Sequence, residues 1–462
     1  MPGAEDRSGA YQAAAREAAE WIAAHWDPSL SVRAWWALLA ESGWGFPTWP
    51  AEWFGRGLSA DAAAGVRSVF AASGALPPPT GLGQLLGGPM LLVHGSQEQQ
   101  ARFLPALARG EESWCQFFSE PGAGSDLAGA QTRAVRGRSG PGGKGGEGGK
   151  GGEGGESAVD SWTVDGQKVW TSGAQWADRG MLLARTDRDV PKHHGLSFFI
   201  IDVGQPGIEV RPLHQMNGEH GFNEVFFTGA QVDDDRLVGE AGGGWSVAVT
   251  VLMYERFMAA LPSAVPGAKA GRLDTPAGEA ARRAVLAREG QARTAGRTGV
   301  AELILDVAAQ AGRAGDPVTR QRLAQLWARE TVNGYLARQG QSAREGRRPS
   351  AMGSLTKLAR SELIRQGRDT GMSVLGAAGL LTSPDTPGGG QVQHRALSSP
   401  GASIAGGTDE IQRGIVGERV LGLPKEPRTD RDVPFKDLTV GTQRGRPAGP
   451  DAPAADPDTP AD

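Results

Sequence analysis

Apolar residues recur three or four positions apart through most of the first 115 residues, as in Ala13–His25, Val32–Ser42 and Gln97–Arg109. That spacing gathers one face of a helix against a core and predicts a helical N-terminal domain over 1–114. The pattern changes over 115–235. Ser161–Val164 and Gln167–Trp170 flank Asp165-Gly166, a pair suited to a two-residue hairpin turn. Met181–Ala184, Leu196–Asp202, Gly207–Pro212 and Glu224–Thr228 follow as strand-like runs rich in β-branched and aromatic residues, which predicts a middle antiparallel β domain. Helical spacing returns from Gly244 to about Leu421, so residues 240–424 form a C-terminal helical domain. The order helical, β, helical defines an α+β protein.

Composition adds three low-complexity decorations. Glycine (70) and proline (30) are in excess over the usual combined share of roughly 12 %, and the excess is concentrated. Residues 136–157 repeat GGK/GGE units and predict a mobile insert, because nothing in them can be buried. The stretch at about 262–299, rich in Pro, Gly, Ala and Arg, reads as a flexible insert, and 425–462 as a disordered tail. The net charge of −4 gives no electrostatic support to nucleic-acid binding. One cysteine, Cys115, excludes an internal disulfide, and the seven histidines show no metal-ligand spacing, so no metal site is expected. No apolar run reaches the roughly 18 residues of a membrane span. The opening residues lack a secretory signal's layout, so a cytoplasmic location is expected.

Five segments carry candidate chemistry. Phe118-Ser119-Glu120-Pro121-Gly122-Ala123-Gly124-Ser125-Asp126 has glycines that let the backbone turn and bring N–H groups to a polar ligand. Standing alone it reads more readily as an ordinary glycine-rich turn. Trp170-Thr171-Ser172-Gly173 offers an indole for stacking on a planar ring, or simply a core tryptophan. Gly244–Ala260 is apolar all round except for Glu255 and Arg256. A carboxylate among Ala248, Val251 and Leu252 is costly unless paired or useful. It is therefore either a general base with a raised pKa or half of a structural ion pair. Ser373–Gly379 carries Gly376 and Gly379, and Ile404–Arg413 has a Gly-Gly turn leading into a helix with Thr408 at its cap; both read equally as simple turn and cap chemistry.

The order EPGAGSD, VDGQKVWTSG, FNEVFF and GGTDEIQRGIVGERVLGLP, after HGSQEQQARFLPALARGE, resembles that of the acyl-CoA dehydrogenases over roughly residues 13–425. The resemblance implies an N-terminal helical domain, a middle β domain and a C-terminal four-helix bundle, with FAD between the last two and part of its site supplied by a neighbouring subunit. It implies flavin or acyl-CoA contacts at Phe118, Ser119, Gly124 and Ser125, and isoalloxazine contacts at Trp170 and Ser172. It further implies pyrophosphate contacts at Gly376 and Gly379 and adenosine-side contacts at Thr408 and Glu410. Arg313 takes the place of the family's adenine-side arginine, whose Arg-x-Gln-Phe-Gly segment is not recognisable. Ser373 and Ala377 depart from the family's usual glutamine and glycine.

The triplet Gly406-Gly407-Thr408 lacks the glutamate that serves many relatives as base. A minority, including isovaleryl-CoA dehydrogenase, places the base on the first helix of the bundle, at the position of Glu255. The resemblance thus implies α,β-dehydrogenation of an acyl-CoA. Glu255 takes the α-proton, flavin N5 accepts the hydride, and Arg256, Ser125 and the Gly406 N–H face the substrate. It also implies a homodimer or homotetramer, or a hetero-oligomer, and an electron-transfer flavoprotein as acceptor. Two alternatives share the fold: a half-site or non-catalytic subunit of a hetero-oligomer, and another flavin reaction such as an oxidase or hydroxylase.

Overall fold

Helical spacing in the first hundred residues becomes helices α1 (Ala4–His25), α2 (Val32–Ser42), α3 (Ala60–Ser73), α4 (Gly88–His94) and α5 (Gln97–Ala108) in the computed structural model. The structure describes residues 4–139, 159–258, 273–294, 299–342, 352–425, 427 and 430–438. Ser31, Ser59 and Ser96 each start a helix by accepting a backbone N–H of its first turn. Ser96 and Gln99 form a reciprocal capping box. Trp35, Trp36 and Leu39 of α2 pack with Ala18 and Ile22 of α1 and Val66 and Phe70 of α3.

One sheet follows, of β1 (Trp114–Phe117), β2 (Arg133–Ser139), β3 (Val159–Ser172), β4 (Arg179–Arg185), β5 (Leu196–Asp202), β6 (Ile208–Pro212), β7 (Phe222–Asp233) and β8 (Leu237–Val238). Its order is β6-β7-β3-β2-β4-β5-β8, with β1 beside β4. Pairing is antiparallel except that β1 and β2 lie parallel to β4. Alternation divides the side chains between two cores. Cys115, Phe117, Leu182 and Phe199 join Val225 and Phe227 on one face. Trp114, Phe118, Met181, Leu183, Phe198 and Ile200 meet helices on the other.

The Asp165-Gly166 pair is not a hairpin turn. β3 runs through it unbroken and pairs with β7 on both sides, with register shifts between Val164 and Gly166 and again between Lys168 and Thr171. These are β-bulges: at the first the extra residue falls on β7, where Gly229 takes a left-handed φ of 68°, and at the second it falls on β3, at Val169-Trp170. Gly166 permits close packing, since a Cβ there would lie 2.6 Å from Thr132 Oγ1.

The C-terminal part comprises α6 (Gly244–Met258), α7 (Ala277–Thr294), α8 (Val300–Gln310), α9 (Pro317–Ser342), α10 (Met352–Leu375), α11 (Gln391–Ile404) and α12 (Asp409–Arg419). Four of these, α8 to α11, share a core of Ile304, Val307, Leu326, Leu363 and Val392. α6 lies apart from that core: Val247, Ala248 and Val251 join Leu86 and Met90 of the N-terminal domain and Phe198 and Ile200 of the sheet. The three domains therefore meet in one apolar junction. No described helix is long and apolar enough to cross a membrane.

Three expectations about the decorations are corrected. The stretch at 262–299 contains α7, and residues leading into it pair with the α1–α2 connection, Val32 N donating to Thr275 O and Ala277 N to Leu30 O. Leu273, Ala277 and Ala281 are buried in the N-terminal core. The glycine-rich insert begins later than 136, because Arg136–Ser139 belong to β2. The tail is ordered at 430–438: Phe435 is buried, and its ring lies under the Arg185 guanidinium, 3.6 Å from its Cζ. Residues 140–157, 262–272, 295–298 and 439–462 lie outside the described residues.

Candidate active site

The loop after β1 is built on a buried ion pair. Lys168 of β3 is fully buried, and its Nζ donates to Glu120 Oε1 at 2.8 Å and to Phe118 O at 2.9 Å. The Glu120 carboxylate also accepts Gln131 N at 2.7 Å and Thr132 N at 2.9 Å, so it grips both ends of the 118–132 segment. Burial opposes its ionisation. The Lys168 charge and these donors prevail and hold the carboxyl below its usual range. Burial dominates at Lys168 and pulls its ammonium below the usual lysine range despite Glu120. Arg185, also buried, donates to Ala128 O and Ala130 O, and burial brings it down to about 10. Reciprocal backbone bonds between Glu120 and Ala123 close the turn itself. Neither Gly122 nor Gly124 adopts a left-handed backbone, so the turn does not depend on them for that freedom.

The second bulge, on β3, joins this loop to the strand. Val169 N donates to Ser119 O at 2.8 Å, outside the β3–β7 ladder. Trp170 takes a left-handed φ of 62°, unusual for a bulky residue, and its indole is 59 % exposed. A bulge re-aims a side chain in this way. The ring meets only the edge of Phe222 among the described aromatic contacts, 5.8 Å between centroids. Ser172 and Ser125 are exposed, and Ser119 is half-buried. Phe118 differs from expectation: it is buried in the junction core, edge-on to Phe198, and its carbonyl is taken by Lys168 Nζ, so it supports the loop from beneath.

Glu255 lies one helical turn beyond Val251, on the stripe by which α6 enters the junction. It is half-buried, and its Oε2 accepts a hydrogen bond from Gln116 Nε2 at 3.2 Å. Gln116 is on β1, two residues before Phe118. The carboxylate on α6 is thereby tied to the strand that leads into the 118–126 loop. Arg256 follows on α6, and its side chain lies outside the described residues.

The remaining candidates group in the bundle. Gly406 and Gly407 take left-handed φ values of 69° and 86° in the α11–α12 turn, and Gln412 Nε2 donates to Gly406 O. Thr408 caps α12 by accepting Ile411 N, with Glu410 exposed in its first turn. Lys357 and Arg365 of α10 both bond the buried Asp409 carboxylate. Burial resists its ionisation, but these donors and Ser361 hold its pKa far below the usual range. Gly376 and Gly379 lie in the short turn ending α10; Gly376 is exposed with φ 54°, and Gly379 is buried against Met372. Arg313 is exposed in the α8–α9 turn. The β6–β7 loop reaches the bundle, with Asn217 Nδ2 donating to Ser398 Oγ and Glu219 Oε1 3.3 Å from His394 Nε2. Sequence reasoning missed Gln116, Lys168 and Arg185. Gln116 had a signal, since it falls between Trp114 and Phe118 on one apolar strand face.

An N-terminal helical domain, a bulged middle sheet and a four-helix bundle around such a loop define the acyl-CoA dehydrogenase class. The chain belongs to that family: residues 7–111, 115–230 and 278–421 match the acyl-CoA dehydrogenase N-terminal, middle and C-terminal domains. It is 34 % identical over 395 residues to acyl-CoA dehydrogenase IpdE1 of Mycolicibacterium smegmatis, covering 85 % of this chain and 88 % of that one. It is 36 % identical over 392 residues to FadE34 of Mycobacterium tuberculosis, covering 84 % and 46 %. Among solved structures it is similar to the ChsE4-ChsE5 complex from Mycobacterium tuberculosis (27 % identity, TM-score 0.60, 90 % and 98 % coverage). The Tcur3481-Tcur3483 steroid acyl-CoA dehydrogenase is close to that level (26 %, 0.59, 90 % and 98 %).

The protein is therefore an oxidoreductase of the acyl-CoA dehydrogenase type, with FAD as its cofactor. Its residues fit that group. An indole face stands exposed at Trp170, and a Cβ added at Gly124, Gly173, Gly376 or Gly406 would meet nothing within 4 Å.

Proposed function

We propose that the protein converts an acyl-CoA thioester to its 2-enoyl-CoA, with Glu255 as the base that takes the α-proton. FAD, when bound, supplies the acceptor for the hydride that leaves the β-carbon. The observation that carries the reading is the Glu255 carboxylate, half-buried on an apolar helix and hydrogen-bonded to the strand entering the 118–126 loop. The proton moves from Cα to a Glu255 oxygen, the β C–H pair departs as hydride, and the Cα=Cβ bond forms. A thioester α-proton is too weakly acidic for a carboxylate alone, so the carbonyl needs a donor, assigned here to the Gly406 N–H. Val251 and Leu252, one helical turn before Glu255, belong to the apolar junction on whose edge the carboxylate sits. Trp170 and Ser172 are the residues assigned to the flavin ring. Thr408, Glu410, Gly376 and Gly379 are assigned to the rest of the cofactor.

A bulky acyl group is the substrate class favoured. Gly406 has open space where a side chain would project, and relatives include a steroid acyl-CoA dehydrogenase. An electron-transfer flavoprotein is the proposed acceptor. Trp327, Tyr335, Ile404 and Leu421 of the C-terminal domain are exposed, which favours a further subunit over them, whether a second copy or a different chain. Light scattering of the purified chain decides between the two.

The deciding experiment is a screen of isovaleryl-, octanoyl- and cholyl-CoA with an artificial electron acceptor, using wild type and Glu255→Gln. The variant should keep its FAD absorbance and lose roughly 10²–10⁴-fold in turnover. Turnover near wild type would remove Glu255 from the mechanism.

A further inference from the structure

We infer that Gln116 is a positioning residue that fixes the direction in which Glu255 meets the substrate. The inference rests on the reading of Glu255 as base. Trp114, Gln116 and Phe118 occupy the same face of β1, and the two aromatics are buried in the three-domain junction. The amide between them is half-buried, and a carboxylate within its reach is the stronger kind of acceptor, a hydrogen bond to a charged group contributing about 1.5–3 kcal/mol. The Glu255 carboxylate is such an acceptor, at 3.2 Å.

The geometry links a rigid element to a separate one. β1 is registered on β4, with Gln116 opposite Met181, and Lys168 holds Phe118 O two residues further on. Gln116 and the 118–126 loop therefore move as one body. Apolar packing of Val247, Ala248 and Val251 sets the distance of α6 from the sheet, and the hydrogen bond from Gln116 sets the direction of the Glu255 carboxylate relative to the loop assigned to flavin and thioester. The choice of amide is chemically pointed. It donates one hydrogen bond without charge and so orients the carboxylate without forming an ion pair. An arginine in its place would engage both oxygens and hold them against proton uptake.

The test uses the full chain loaded with FAD and the thioester of the three-member panel that wild type turns over fastest. Anaerobic stopped-flow measures flavin reduction in Gln116→Leu and Gln116→Met. The expected result is a roughly 10–100-fold slower reduction, the rate equivalent of one hydrogen bond to a charged group. KM should stay within about threefold, FAD content should be unchanged, and the isotope effect from α-deuterated thioester should rise. Gln116→Glu keeps the shape and replaces the donor with a second carboxylate. Two carboxyls at this distance share a proton, so this variant should be slower still at neutral pH. Wild-type reduction rates in Leu and Met, a loss confined to KM, or a Glu variant equal to wild type would each overturn the inference. Activity in Glu255→Gln would sink the base assignment; an inactive Glu255→Gln beside a normal Gln116→Leu would sink only the role of Gln116.

Discussion

Replacing Lys168 with methionine removes the charge from the clamp beneath the 118–132 loop while keeping most of its volume. The ammonium has two acceptors, Glu120 Oε1 and Phe118 O, and both partners are buried. After the substitution the Glu120 carboxylate retains Gln131 N and Thr132 N but loses its counter-charge. Breaking one side of a buried pair costs about 3–5 kcal/mol, a large part of the roughly 5–15 kcal/mol that keeps a domain folded. Lys168→Met with Glu120→Gln removes both charges, and the glutamine carbonyl can still accept one of the two backbone N–H groups. That double variant should therefore be more stable than Lys168→Met alone, with a coupling of about 2 kcal/mol between the sites. Urea titration followed by tryptophan fluorescence gives the stabilities, and absorbance after gel filtration gives retained FAD. Lys168→Met should lose cofactor as well as stability, because the loop it anchors also receives Val169 N at Ser119 O. A loss under about 1 kcal/mol, or a coupling of zero, would show that the loop holds its shape without the pair.

Two further outcomes follow from the site. Trp170→Ala removes an exposed indole, so folding should be unaffected while FAD binding weakens roughly fivefold, about 1 kcal/mol of ring stacking; fluorescence titration of the apoprotein measures it, and an unchanged Kd would place the flavin elsewhere. Asp409 has a depressed folded pKa, so its contribution to stability is complete above the ordinary aspartate value of about 3.9 and is lost as pH falls below it. Asp409→Asn should lower the thermal midpoint at pH 7 and shrink the further drop between about pH 4.5 and about pH 2; an undiminished drop would assign acid sensitivity to other carboxylates.

Much of the architecture was legible because periodicity reports burial directly. The helical, β, helical order and Glu255 as a lone acid on an apolar helix both came from that signal. The hairpin misreading at Asp165-Gly166 has a physical origin. Glycine suits a turn and equally a strand opposite a bulge, and only the partner strand β7 tells them apart. α7 was hidden by the composition around it. Its Ala277, Ala281 and Ala284 do recur at helical spacing and are buried, but alanine is too small to stand out in a hydropathy pattern. Gln116 was legible as a polar residue on an apolar face, but not its partner, because alternation along β1 cannot say which helix lies across from it. Lys168 and Glu120 were hidden for a different reason: charged residues are read as exposed until a structure shows them paired.

The contact between Phe435 and Arg185 spans about 250 residues of chain. During synthesis at roughly 5–20 residues per second, the arginine emerges on the order of 10–50 s before the ring that covers it. Over that interval the guanidinium has its carbonyl partners but not the ring over its face, so the final closure of the sheet waits for the 430–438 segment and is not completed by the folding of its own strands.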